Sequence, residues 1–170
     1  MTIVDARVND LRDAVDVIDG DTGCFAATLR LVARGNSARR VQSWLDDLAE
    51  KACDVADAIG QANVAAYQGG GAPAAIEGLQ HCRQQLQNLA ASLSDLADAC
   101  SESDFDCRHA AYFLSDGARS LANRVDQTVD AFEADTSAPA GSTRRDRRRI
   151  ERARSALADL DAMLAAAPVD

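Results

Sequence analysis

The 170-residue sequence has few aromatic residues, few prolines and a single lysine, Lys51. Aromatic side chains make up only 4% of a chain that is 47% hydrophobic, so its core must be aliphatic and rich in Ala and Leu. Small aliphatic side chains let helices pack closely, whereas strands favour β-branched and aromatic residues. The 3 prolines leave long stretches free of the strongest helix breaker. These scarcities favour an all-α protein over a β-sandwich.

Signals for membranes and for export are also missing from the sequence. No apolar run approaches the roughly 20 residues that a membrane-spanning helix needs. The first five residues, MTIVD, carry neither a basic segment nor an apolar core of a signal peptide. We therefore predict a cytoplasmic protein with reduced thiols and no membrane span, and leaderless secretion is the alternative.

The charge of the chain argues against polyanionic partners. Acidic residues number 27 against 18 basic ones, which gives a net charge of -9. An acidic protein repels nucleic acid and anionic lipid over long distances. The composition therefore predicts that nucleic acid is not the partner.

Apolar residues recur every three or four positions through almost the whole sequence, which is typical of amphipathic helices. Three stripes, Val41 to Ala66, Leu79 to Cys100 and Cys107 to Phe132, follow the alternating spacing of a coiled-coil heptad. The predicted fold is all-α, an up-down antiparallel helical bundle of four long helices plus a short N-terminal helical hairpin or arm.

Glycines and capping residues set the predicted boundaries within one bundle domain, 1–170. Gly20 and Gly35 are predicted to end two helices of the N-terminal arm, and Gly69 to Gly71 are predicted to end the next helix. The predicted parts are the N-terminal helical arm (1–35), three long helices (36–135), a linker (136–142) and a C-terminal helix (143–167).

The second and third of the heptad stripes are joined by a turn near Ser103, so they must form an antiparallel helical hairpin. Aligning the stripes across the short turn places Cys100 opposite Cys107. The same register places the following further pairs opposite each other: Leu93 with Leu114, and Leu86 with Leu121. A slip by one heptad would also align the stripes, but the short turn forbids it.

The five cysteines lack the CxxC spacing of zinc-ribbon and thioredoxin-like sites. Cys82, Cys100 and Cys107 lie in apolar stripes, where a thiol acts as a small hydrophobic side chain. A disulfide between Cys100 and Cys107 beside the turn is the first alternative. Metal binding is the second, although zinc needs four convergent ligands. We predict no metal and no cofactor.

No catalytic motif is present, since the sequence lacks a P-loop, a GxGxxG motif and a GxSxG elbow. Gly69 to Gly71 are followed by Ala72 and Pro73, so they are interpreted as a flexible connector. The many carboxylates lie on the polar faces of helices, where solvation accounts for them. The two histidines, His81 and His109, lack the preceding Glu of di-iron bundles. We therefore predict that the protein is not an enzyme.

An arginine-rich run from Arg144 to Arg154 opens the predicted C-terminal helix, with seven Arg against two acids. Cations at a helix N-terminus oppose the helix dipole, so an acidic surface should compensate them. We predict that the run binds an acidic protein surface, of this chain or of a partner, and the alternatives are a solvated helix face and a nucleic-acid patch. The candidate partner-binding residues are Arg144, Arg145, Arg147, Arg148, Arg149 and Arg152.

Tyr112 and Asp116 form a Y-x-x-x-D pattern that resembles the secretion signal of the small helical substrates of type VII systems. The W-x-G turn of those substrates is absent, because Trp44 is followed by Leu45 and Asp46. The five-residue pattern assigns no family by itself, but it motivates secretion as an alternative.

An apolar stripe on every helix, without a set of reactive groups, favours a non-enzymatic protein-protein interaction or scaffold protein that works through its helix faces. The sequence does not identify the protein partner, and the partner could be a second copy in a homo-oligomer. The alternative functions are a leaderless secreted helical effector and nucleic-acid binding through the start of the last helix.

Overall fold

The computed structural model describes residues 3–35, 41–68, 71–100 and 105–136, and it describes their side chains from residue 8 to residue 133. Its four helices are α1 (Ile3–Gly35), α2 (Gln42–Tyr67), α3 (Ala72–Ala99) and α4 (Phe105–Thr136). The described residues form no strand, so the predicted all-α bundle is confirmed. None of the described helices carries an apolar window long enough to cross a membrane.

The contacts of the chain divide it into two units, Met1–Phe132 and Glu133–Asp170. The first unit contains the four-helix bundle. Of the second unit, only the residues up to 136, at the end of α4, are described. The predicted C-terminal helix 143–167 therefore lies outside the described residues. So does the predicted linker 136–142, apart from its first residue. A single domain over 1–170 therefore stays a prediction.

The break predicted at Gly20 is wrong, because α1 is one helix of 33 residues. Its buried stripe runs through Ile18, Thr22 and Phe25 without interruption. Gly20 lies on the exposed side, where it costs a helix only about 1 kcal/mol. Burial of a single large side chain before or after it gains more than that. The N-terminal segment is therefore a full member of the bundle and not a hairpin or arm.

Replacing Gly20 with alanine is expected to raise the free energy of unfolding by about 1 kcal/mol, because the glycine loses more backbone freedom on folding. A Cβ at this position would meet no described atom within 4 Å outside its own stretch of helix. The measurement is the urea midpoint of Gly20→Ala against the wild type. A lower midpoint would indicate that the helix is interrupted at Gly20 in solution.

Side-chain contacts show that α1 and α2 run antiparallel. Near the start of α1, the Arg12 Nε donates a hydrogen bond to the Ala66 carbonyl oxygen near the end of α2, at 2.8 Å. Near the end of α1, the Ala33 carbonyl accepts a bond of 2.9 Å from the Gln42 side-chain amide at the start of α2. The two helices are therefore in contact along most of their lengths.

Further contacts close the four helices into a ring. The Ser115 hydroxyl of α4 donates to the Ala90 carbonyl of α3 at 2.8 Å. Arg124 of α4 forms an ion pair with Asp21 of α1. Since α2 also packs on α1 and on α3, α2 and α4 lie diagonally opposite each other in the bundle.

The α3–α4 hairpin has the register that the sequence predicts. The Sγ atoms of Cys100 and Cys107 lie 3.6 Å apart, which is the pairing required beside the turn. Two further contacts agree with this register: the ion pair between Arg83 and Asp126, and the hydrogen bond from Ser115 to Ala90. Each joins residues that lie within one helical turn of the positions that the register places opposite each other. All four leucines of the predicted pairs are buried: Leu86, Leu93, Leu114 and Leu121.

The core is aliphatic, as the composition predicts. Among the residues whose side chains are described, two polar ones, Thr22 and Ser115, are buried in it, and each hydroxyl donates to a backbone carbonyl. Such internal partners remove most of the cost of burying a hydroxyl. The charged residues lie mainly outside, and among them Lys51 is exposed near the middle of α2.

Candidate interaction surfaces

Aromatic side chains cluster on the outward face of α4, near its start. Phe105, His109, Tyr112 and Phe113, here called the α4 aromatic patch, follow helical spacing and so share one side of the helix. Phe105 is 69% exposed and Phe113 is 72% exposed. The whole chain contains 4 Phe, 2 Tyr and 1 Trp, so three of these seven residues lie within nine positions. Such an exposed cluster is unusual for a bundle with an aliphatic core.

Contacts orient three of the four rings of the patch, those of Phe105, His109 and Tyr112. The Phe105 and His109 rings stack with centroids 6.0 Å apart and planes within 5°. The Tyr112 hydroxyl donates a 2.5 Å hydrogen bond to Asp98 of α3. The Arg108 guanidinium lies 5.9 Å from the centre of the Tyr112 ring. The patch therefore has an aromatic centre and a polar rim, as protein interfaces commonly do.

A second outward apolar face lies on α1, where Val17 and Leu31 are both largely exposed. Between them, Gly20, Cys24 and Ala27 continue the same three-four spacing on the exposed side. These central side chains are small, so the face offers little apolar area compared with the aromatic patch. The α4 surface is therefore the stronger candidate for binding a partner.

The open end of the α1–α2 pair carries a polar cluster. The Tyr67 hydroxyl donates a 2.5 Å hydrogen bond to the Asp16 carboxylate, and the Arg12 guanidinium lies 5.0 Å from the centre of the Tyr67 ring. The bond from Tyr67, assisted by Asn63, lowers the pKa of Asp16. The same bond raises the pKa of Tyr67. The cluster therefore joins the two helices at this end of the bundle.

Replacing Tyr67 with phenylalanine is expected to raise the pKa of Asp16 toward its ordinary value of 3.8. A depressed carboxyl pKa stabilises the fold above the ordinary pKa, and this contribution is lost as the pH falls through the lowered value. The raised pKa of Tyr67 acts in the opposite range: its contribution is present below pH 10 and is lost as the pH rises through the raised value. The measurement is an NMR titration of the Asp16 carboxyl carbon.

The matched control for this titration is Tyr112→Phe, which removes a hydroxyl bonded to a different carboxylate, that of Asp98. It should leave the Asp16 titration unchanged. An Asp16 pKa that stays low in Tyr67→Phe would show that Asn63, and not the phenol, stabilises the charged carboxylate.

The structure places the three stripe cysteines, Cys82, Cys100 and Cys107, in the core, as predicted. Burial raises the pKa of the Cys82 thiol. The candidate disulfide partners Cys100 and Cys107 are brought together as thiols at the α3–α4 junction. Within the described ranges, no group of three or more His, Cys, Asp or Glu residues could hold a metal ion.

The arginine-rich run lies outside the described residues, with all its candidate positions: Arg144, Arg145, Arg147, Arg148, Arg149 and Arg152. The Y-x-x-x-D pattern lies on α4, where both of its residues are exposed. Its tyrosine bonds to Asp98, and its aspartate, Asp116, pairs with Arg119 at 3.1 Å. The two residues of the pattern thus have separate partners.

The aromatic patch was not predicted from the sequence, although a signal for it exists. Phe105, two residues before the stripe position Cys107, and Phe113, one residue before Leu114, are out of step with the stripe and cannot face the core with it. Large apolar residues on the polar side of an amphipathic helix indicate a surface that a partner covers.

No family matches. Comparison with protein-family models, with curated proteins and with solved structures finds no significant similarity to this chain. The surfaces of the bundle are therefore what indicates its function.

Proposed function

We propose that this protein is a non-enzymatic interaction or scaffold protein that binds a partner protein through the α4 aromatic patch. The observation that carries the proposal is the exposure of Phe105 and Phe113 on one face of α4, about two helical turns apart. Aromatic residues dominate the binding energy of protein interfaces and are scarce elsewhere on protein surfaces.

The apolar area supports a specific contact. An aromatic side chain buries about 150–250 Å² when it is fully covered. At about 25 cal/mol per Å², covering the largely exposed rings of Phe105 and Phe113 would gain several kcal/mol before the costs of association. The stacked His109 ring and the anchored Tyr112 lose little side-chain freedom on binding. The patch is thus preorganised for docking.

Charge around the patch indicates the chemistry of the partner. Three aspartates are exposed around the aromatic rings, Asp98, Asp106 and Asp116, against two arginines, Arg108 and Arg119, and the chain as a whole is acidic. Opposite charges at the rim of an interface speed association and select partners. We expect the partner to present an apolar face, such as one side of an amphipathic helix, with Lys or Arg at its edges.

Affinity capture from the native host tests the proposal. Three baits are compared by quantitative mass spectrometry: the wild type, the double variant Phe105→Ser with Phe113→Ser, and the control Val64→Ser. Val64 is 61% exposed on α2, diagonal to α4, so its loss removes apolar surface away from the patch, although less of it than the loss of two phenylalanines. A partner should be retained by the wild type and the control and lost by the double variant.

The captured partner is then purified and titrated against the same three proteins by calorimetry. The double variant should bind at least about 30-fold more weakly, as expected for loss of a central aromatic contact. Equal affinities for all three proteins would reject the α4 aromatic patch as the binding surface.

A further inference from the structure

Two thiols meet where α3 passes into α4. Cys100 is the residue that follows the last turn of α3, with extended backbone (φ -69°, ψ 135°), and its N–H donates to the Leu96 carbonyl at 3.1 Å. Cys107 lies in the first turn of α4. Their Sγ atoms are 3.6 Å apart, and each residue is only 7% exposed. The two sulfurs are therefore neighbours inside one protein molecule.

The distance is short enough for a covalent bond to form after a small adjustment. A disulfide has its sulfurs about 2.05 Å apart, so they must approach by about 1.5 Å. Cys100 stands outside the regular part of α3, and its side chain can turn without breaking the hydrogen bonds within that helix. Helix axes elsewhere in a bundle are about 8–10 Å apart, which is usually too far for this linkage.

We propose that Cys100 and Cys107 form a redox-active pair that closes into an intramolecular disulfide by exchange with a low-molecular-weight disulfide such as glutathione disulfide. The thiolate of one cysteine attacks a glutathione sulfur, which forms a mixed disulfide and releases one glutathione thiolate. The thiolate of the other cysteine attacks the protein sulfur of the mixed disulfide and releases the second glutathione. The protein thus loses two protons and two electrons, and glutathione disulfide gains them.

Proximity favours the closed form over a lasting mixed disulfide. With the second sulfur 3.6 Å away, the closing step is intramolecular and has a high effective concentration. Cys24 is exposed on α1 and is a reference for simple glutathione capping. The bond would join the end of α3 to the start of α4, two residues after Phe105. The proposal concerns the hairpin itself and does not depend on the α4 aromatic patch having a partner.

The test uses the full chain in glutathione buffers of increasing oxidised fraction, followed by acid quench and alkylation. Intact-mass analysis should show a form lighter than the reduced chain by two hydrogen atoms. Peptide mapping should place the disulfide between Cys100 and Cys107. This disulfide should form at glutathione ratios at which only part of Cys24 carries glutathione as a mixed disulfide. The melting temperature of the linked form should be higher by about 5 °C, since the bond limits the unfolded chain.

Single variants are the controls. Cys100→Ser and Cys107→Ser should each lose the linked form, whereas Cys82→Ala, which removes a buried thiol of α3, should keep it. The wild-type mass and peptide map need no variant, so the test stands even if a variant folds poorly. Wild-type chain whose two thiols both remain alkylatable in the most oxidising buffer, or end only as glutathione adducts, would overturn the proposal.

Discussion

Replacing Leu89 with alanine is expected to lower the free energy of unfolding by about 2–5 kcal/mol. Leu89 lies on α3 and is only 3% exposed. The sequence places Ala52 and Ala118 at the same layer, and both are fully buried. Alanine side chains cannot extend into the space that the leucine leaves, so most of the cavity should persist. This cavity makes the change the largest that we expect from a single core substitution.

Chemical denaturation of the two proteins measures this difference. The matched control is Leu31→Ala, which deletes the same atoms from a side chain on α1 that is 68% exposed. It should change the free energy of unfolding by no more than about 0.5 kcal/mol. Equal effects of the two substitutions would show that the α3 stripe does not form the core of the protein in solution.

Replacing Gly71 with alanine is expected to destabilise the protein by about 1–3 kcal/mol through a steric clash. A Cβ at Gly71 would lie 1.9 Å from the carbonyl oxygen of Ala65 and 2.9 Å from its carbon. Both are backbone atoms at the end of α2, so no side chain can rotate away. Because φ at Gly71 is -81°, the requirement for glycine comes from the close approach of the chain and not from a left-handed conformation.

The control for Gly71 is Gly60→Ala in the interior of α2. A Cβ at Gly60 would have its nearest described contact at 3.6 Å, with the Asp19 carboxylate, which is an ordinary distance. Alanine is the better helix former, so this variant should be as stable as the wild type or more so. In thermal unfolding, the melting temperature of Gly71→Ala should therefore fall, whereas that of Gly60→Ala should rise or stay the same. Two similar decreases would contradict the geometry of the α2–α3 connection.

The register of the α3–α4 hairpin could be predicted because two constraints coincide. The heptad stripes leave only alignments that differ by seven residues, and the short turn selects one of them. The Cys100–Cys107 contact follows from that choice. Where a long periodic pattern and a short connection act together, sequence alone determines which side chains meet.

The course of α1 could not be predicted in the same way. A glycine is both a frequent helix end and a tolerated interior residue, and its cost of about 1 kcal/mol does not decide between them. Tertiary packing decides: Thr22 and Phe25 continue the buried stripe beyond Gly20. Local signals of this size are overridden whenever the next turn of helix can be buried.

The α4 aromatic patch shows a different limit. Periodicity identifies the side of a helix that faces the core, and it disregards residues on the other side. Phe105 and Phe113 form a candidate site because both are exposed on the face of α4 that carries Tyr112, and the buried stripe does not reveal this. Sites made from surface residues cannot be predicted from periodicity, since their members follow no buried pattern.

The solitary lysine in the middle of α2 gives the molecule one further property. An endoprotease specific for lysine has a single target bond in the 170 residues, after Lys51. That bond lies inside a helix of 26 residues, so the side chain is accessible while the backbone is protected. Cleavage must wait until the surrounding turns of α2 open, and its rate reports the population of that opened state. The rate at which the intact chain is converted to two fragments thus measures the population of molecules in which α2 is locally unfolded around Lys51.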